Sequence, residues 1–150
     1  MTGYFLKTAA RRRHTAAILP AFWKLKSLLL FRVCGHIDYV VRYGPNRNLY
    51  YTYEKYRDIL DEILRVLVQK GIGLECNTAG FKYGLGHPNP TEKILSRYRE
   101  LGGEILTLGS DAHAPEHIAY DFERAGALLK ECGFHYYTVF RNRKPEFLPL

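Results

Sequence analysis

The stretch that decides the fold is "ILTLGSDAHAPEH", residues 105–117. An apolar run from Ile105 to Leu108 stops at Gly109; Ser110, Asp111, Ala112 and His113 follow, and then Pro115. A short apolar run closed by glycine predicts a strand, and a proline soon after it predicts a helix start. Parallel α/β folds gather their functional groups at the C-terminal ends of strands. An aspartate and a histidine two residues apart at such an end therefore mark a candidate site.

The same alternation extends outward in both directions. "FRVCGHIDYVV" (31–41) is strand-like and broken at Gly35, and "RYGPNRNLYY" (42–51) has the composition of a loop. "TYEKYRDILDEILRVLVQKG" (52–71) predicts an amphipathic helix, with Tyr56, Ile59, Leu60, Ile63, Leu64 and Leu67 on one face and Gly71 as C-cap. "IGLECNTAG" (72–80) predicts a second strand, and "FKYGLGHPNP" (81–90) a loop. "NPTEKILSRYRELGG" (89–103) predicts a helix capped by Asn89, with Pro90 in its first turn. After the third strand, a helix is expected from Pro115 to Gly133 and a fourth strand over "FHYYTVFRNRKP" (134–145). The order β-α-β-α-β-α-β predicts an α/β fold of about four parallel strands and three helices.

Charge is unevenly distributed along the 150 residues. Residues 1–37 carry seven Lys/Arg and no Asp or Glu, whereas residues 38–150 carry 15 of each sign. The net charge of +7 thus lies entirely in the first part of the chain. A nucleic-acid-binding domain spreads its basic residues over a folded face, so a neutral body excludes that class. No run approaches the roughly 18 apolar residues of a membrane helix. Three scattered cysteines, Cys34, Cys76 and Cys132, without a Cys-x-x-Cys, argue against a disulfide framework or zinc knuckle. They read as packing residues with reduced thiols in the cytoplasm.

The first strand ends in Gly35-His36-Ile37-Asp38, the second in Glu75-Cys76-Asn77 and the third in Asp111-Ala112-His113. Each group has a plainer reading. A histidine at a strand end is more often a hydrogen-bonded loop residue, Asp111 can cap a helix, and Glu75 can be a surface charge. Their common placement favours a site that collects imidazole and carboxylate donors for a divalent metal. His117 lies in the turn after Pro115, and His87 in the Gly/Pro loop.

"CGHIDYVVRYG" (34–44), "LECNTAG" (74–80), "LTLGSDAHAPEHIAYDFERA" (106–125) and "GFHYYTVFRNRKPEFLPL" (133–150) together resemble the C-terminal part of the histidinol-phosphate phosphatases of the PHP (polymerase and histidinol phosphatase) superfamily. The resemblance covers about residues 31–150. It implies part of a distorted barrel of seven β/α units holding up to three divalent metals, with Zn, Mn and Fe all compatible with such ligands. The implied reaction, in histidine biosynthesis, is hydrolysis of L-histidinol phosphate to L-histidinol and phosphate. By motif, His36, Asp111 and His113 become metal ligands, the last two on different ions. Arg42 and Lys82 become phosphate or rim contacts, and Glu75, Asn77 and His117 substrate or rim residues.

Two departures qualify that resemblance. The family's His-x-His occurs nowhere in this sequence, and Arg32 stands where the family tends to have an acid. A full (β/α) barrel needs about 250 residues. The expectation is a chain whose residues 1–30 form an atypical basic leader and whose residues 31–150 form the C-terminal half of a barrel. The leader is open to three readings: a targeting peptide, a basic tail, or the product of a truncated or frameshifted gene. Such a half-barrel, short of ligands, is expected to be inactive by itself. The alternatives are another PHP phosphoesterase and a non-catalytic interaction module.

Overall fold

In the computed structural model the strongly periodic segment forms α1 (Tyr53–Lys70), the longest helix among the described residues. The structure describes residues 31–43 and 45–150, so the leader expected over residues 1–30 lies outside the described residues. Ile59, Leu60, Ile63, Leu64 and Leu67 of α1 are buried, as their spacing requires. Gly71 ends the helix in the left-handed conformation at φ 61°, its N–H reaching the carbonyls of Leu67 and Val68. Tyr56 is the exception on that face. It is 44 % exposed and stacks on Tyr51.

Strands β1 (Val33–Cys34), β2 (Gly73–Asn77) and β3 (Leu106–Gly109) form a parallel sheet in the order β1-β2-β3. Val33 pairs with Gly73, and Leu74 through Asn77 pair with Leu106 through Gly109. Helix α1 makes the crossover from β1 to β2. The short helix α2 (Ala79–Lys82) and helix α3 (Glu92–Glu100) lie between β2 and β3. Leu64, Leu67, Leu74, Ile94, Leu95, Leu106 and Leu129 are fully buried and form the core around which these layers close.

Four expectations are corrected. The fourth strand is not parallel. Strand β4 (Tyr136–Arg141) pairs antiparallel with a further strand, β5 (Lys144–Pro149), so among the described residues the parallel sheet has three strands. The two-residue turn Asn142-Arg143 has positive φ at both positions, which suits the twist of a tight hairpin. A side chain ties this hairpin to the sheet: Thr138 Oγ1 accepts the Leu106 N–H at 3.2 Å.

The first strand is also shorter than its apolar pattern. After Gly35, His36 adopts φ 26° and the chain turns into a 3₁₀ helix over Tyr39–Tyr43, with another over Arg47–Tyr50. The helix expected from Pro115 is only a 3₁₀ turn, Pro115–His117. Ala119 (φ 55°) and Asp121 (φ 57°) interrupt it before α4 (Phe122–Glu131) begins, since left-handed residues cannot continue a right-handed helix. Finally, α3 is capped at Thr91 and not at Asn89, which is buried and turned inward. Among the described residues, no helix is long and apolar enough to cross a membrane.

Candidate metal and phosphate site

The central strand β2 places Glu75 between its two neighbours. Glu75 Oε2 accepts the backbone N–H of His36 and the Nδ2–H of Asn77, each at 3.2 Å. A Cβ on Gly109 would lie 2.2 Å from Glu75 Oε1, and one on Gly35 would lie 3.2 Å from Oε2. The glycines that end β1 and β3 thus make the room in which this carboxylate joins three strand ends. Asn77 carries the link onward, its Oδ1 accepting the Ala79 N–H at 2.9 Å at the start of α2.

Asp111 anchors the other half of the rim, at φ 48° just beyond β3. Its Oδ1 faces His113 Nε2 at 3.5 Å. Its Oδ2 accepts the Tyr39 hydroxyl at 3.2 Å, and Arg42 Nη1 stands 3.8 Å away. Arg42 Nη1 also donates to the Tyr39 oxygen at 2.8 Å, and its guanidinium lies 3.2 Å from the centre of the Tyr83 ring. Lys82 Nζ donates to the Asp111 carbonyl at 3.3 Å. The hydrogen bond shared with Tyr43, then burial and the hydrogen bond to the Asp111 carboxylate, raise the Tyr39 phenol above its ordinary range. It therefore stays a donor at ordinary pH.

Most of the residues singled out from the sequence are thereby joined. Asp111 and His113 are adjacent, Arg42 and Lys82 attend Asp111, and Glu75 and Asn77 hold the backbone of His36. The His36 ring lies 4.4 Å from the Tyr39 ring and reaches Asp111 only through it. His117 stands apart in its 3₁₀ turn, edge-on to Tyr120. Among the described residues, no three or more His, Cys, Asp or Glu side chains are close enough to hold a metal ion together. The Asp111–His113 pair does fit one ion as two donors. Metal–ligand bonds of about 2.1 Å in tetrahedral geometry put two donors about 3.4 Å apart.

The sequence reading missed Tyr39 and gave Asp38, at the first strand end, no role of its own. Tyr39 precedes Arg42 by three residues, a spacing that meets on one face of a helix but looks like nothing in a strand. Asp38, buried behind the rim, accepts Asn89 Nδ2–H at 2.8 Å and the Thr91 N–H at 3.1 Å. Burial raises its carboxyl above the usual range, against those two hydrogen bonds. The cysteines are free: Cys76 and Cys132 are buried, and burial beside Glu75 pushes the half-buried Cys34 thiol up to about 11.

No family model matches the sequence. Individual relatives do. A histidinol-phosphatase from Lactococcus lactis is 34 % identical over 143 residues, which cover 93 % of this chain and 50 % of the relative. The chain is related in sequence to part of the histidinol-phosphatases. A probable histidinol-phosphatase from Thermotoga maritima is 39 % identical over 110 residues, covering 73 % of this chain and 44 % of the relative. The crystal structure of the histidinol phosphate phosphatase from Lactococcus lactis, complexed with zinc, L-histidinol and phosphate, superposes with a TM-score of 0.72 at 33 % identity. That superposition covers 91 % of this chain and 51 % of the crystallised one. The chain spans about half the length of the histidinol-phosphatases it matches.

Proposed function

We propose that this chain is the C-terminal half of a PHP-type histidinol-phosphatase, a metal-dependent phosphomonoester hydrolase whose (β/α)₇ barrel it supplies only in part. The carrying observation is the Asp111–His113 pair, whose Oδ1 and Nε2 lie 3.5 Å apart at a strand end with Arg42 and Lys82 beside them. Asp111 and His113 would hold one divalent ion as neighbouring donors, and not the two separate ions that the resemblance implied, with His36 a further ligand in the complete site. Zn, Mn and Fe all suit this donor set. The structure of the Lactococcus lactis relative with zinc, L-histidinol and phosphate supports both metal and substrate class. When bound, the metal activates water and neutralises charge on the phosphoryl oxygens.

The remaining roles fall to this chain's own residues. Hydrolysis of L-histidinol phosphate breaks the ester P–O bond and delivers a water oxygen to phosphorus, giving L-histidinol and phosphate. Lys82 faces the rim and supplies positive charge toward a phosphate. Glu75 and Asn77 hold the His36 backbone in place. Three free cysteines support residence in the cytoplasm. By itself the chain turns over little or no substrate, because two adjacent ligands and one remote one bind metal more weakly than a full cluster.

Zinc titration of the purified chain tests this reading. Wild type binds zinc, and Asp111→Ala and His113→Ala each weaken the binding; equal affinity in all three removes the site. Phosphate release from L-histidinol phosphate and from other phosphomonoesters separates this substrate from a different phosphoesterase specificity. Turnover that disappears in Asp111→Ala would overturn the expected inactivity of the isolated chain. A second reading, a non-catalytic interaction module, is favoured by the exposed Val40, Leu49 and Tyr50 of the two 3₁₀ helices. A discrete dimer in light scattering would support that reading.

A further inference from the structure

We infer that Tyr39 is a positioning residue for the strand-end acid: its hydroxyl holds one carboxylate oxygen of Asp111, so that the other faces His113. The inference rests on the reading of Asp111 and His113 as a metal-binding pair. The hydrogen-bond inventory fixes the direction of the network. A guanidinium only donates, a carboxylate only accepts, and a phenol has one proton to give. Arg42 Nη1 donates to the Tyr39 oxygen at 2.8 Å, which leaves the phenolic proton for Asp111 Oδ2 at 3.2 Å. The Tyr43 hydroxyl, 3.0 Å from that of Tyr39, then acts as a second donor to it.

The start of this chain of donors is itself held. The Arg42 side chain is 19 % exposed, and its guanidinium lies on Tyr83 with Tyr43 and Tyr39 at 5.1 and 5.4 Å. Arg42 therefore belongs inside the network, as the group that orients the phenol, and less to the open rim where a phosphate would sit. The Tyr39 ring meanwhile packs 4.4 Å from the His36 ring. One side chain thus contacts candidate ligands from the first and third strand ends. Carboxylates that bind metals usually have their free oxygen hydrogen-bonded in this way, and removing such a partner weakens metal binding.

The test uses the full 150-residue chain and Tyr39→Phe, which keeps the ring and its packing but loses the hydroxyl. The first readout needs no metal. With aspartate side chains carbon-13 labelled, the Asp111 Cγ resonance at neutral pH moves in Tyr39→Phe and stays in place in Tyr120→Phe, a tyrosine outside the network. The second is zinc affinity by calorimetry, expected to fall about tenfold in Tyr39→Phe, with an unchanged melting temperature. An unmoved Asp111 resonance, or zinc affinity equal to wild type, overturns the inference. Absence of zinc binding by wild type sinks the metal reading of the pair instead, and the Asp111 resonance still decides whether Tyr39 holds the carboxylate.

Discussion

Replacing Gly109 with alanine gives the sharpest test of how the rim is built. The added Cβ would sit 2.2 Å from Glu75 Oε1 and 2.9 Å from its Cδ, so the carboxylate has to move. Moving it breaks or stretches the hydrogen bonds from His36 N–H and Asn77 Nδ2–H, both already 3.2 Å long. Hydrogen bonds to a charged group contribute about 1.5–3 kcal/mol each, and long, half-buried ones fall at or below the low end. Overpacking independently costs about 1–3 kcal/mol. Gly109 is not in the left-handed region, so no backbone strain is added, and the lower entropy of the unfolded alanine chain returns about 0.4–1 kcal/mol. With each of the two long bonds weakened by about 1 kcal/mol, the net loss is about 2–4 kcal/mol, a fall of about 4–16 °C in melting temperature for a chain of this size. Urea and thermal unfolding followed by circular dichroism measure both. Gly126→Ala is the matched control. Its Cβ meets nothing within 4 Å inside α4, so the change stabilises by about 0.5–1 kcal/mol. Combining Gly109→Ala with Glu75→Ala should cost less than the sum of the two, because the second removes the atoms the first strikes. Additive costs, or a Gly109→Ala chain as stable as wild type, would refute the placement of Glu75 between the strand ends.

Other perturbations follow from groups behind the rim. Asp38→Ala leaves Asn89 Nδ2–H and the Thr91 N–H without their acceptor, at a cost of about 2–4 kcal/mol by urea unfolding; a loss below 1 kcal/mol would mean that water replaces the carboxylate at no penalty. Asp61 carries a pH dependence. Arg97, donating from Nε and Nη2 (2.8 Å), holds its carboxyl below the ordinary value, and the side chain is only 6 % exposed. A depressed carboxylate contributes stability above its unfolded pKa of about 4 and loses it as pH falls through the lower folded value. The stability difference between wild type and Asp61→Asn is therefore full at pH 6 and shrinks below about pH 4. A difference that is flat across that range contradicts the ion pair.

Much of this architecture was legible in the sequence because it is local. The period of α1, its Gly71 cap and the two apolar runs that became β2 and β3 depend on neighbouring residues and on burial of one face. The order of these elements also announced a parallel sheet whose strand ends would converge. Where the reading failed, long-range contacts or backbone signs outweighed pattern. Asn89 has the composition of a cap, yet Asp38, 51 residues away, takes its side chain into the interior. Ala119 and Asp121 look helical and adopt positive φ, so the turn at Pro115 stays separate from α4. The β-α order predicted a parallel fourth strand, but the two-residue turn after it folds it onto β5, as its partial exposure suits.

The candidate site divides in the same way. Sequence alone determined which chemistry arrives at the strand ends: His36, Glu75, Asn77, Asp111 and His113 follow from where apolar runs stop. Only the tertiary structure decided which of them meet. Asp111 and His113 come together because they are two residues apart beyond one strand. His36 is tied through its backbone to Glu75 and through its ring to Tyr39, and neither link is visible in spacing. The physical reason is that chain direction is set by local torsions and burial, whereas the partner of a polar side chain is set by whichever donor or acceptor the packed neighbours bring within about 3 Å.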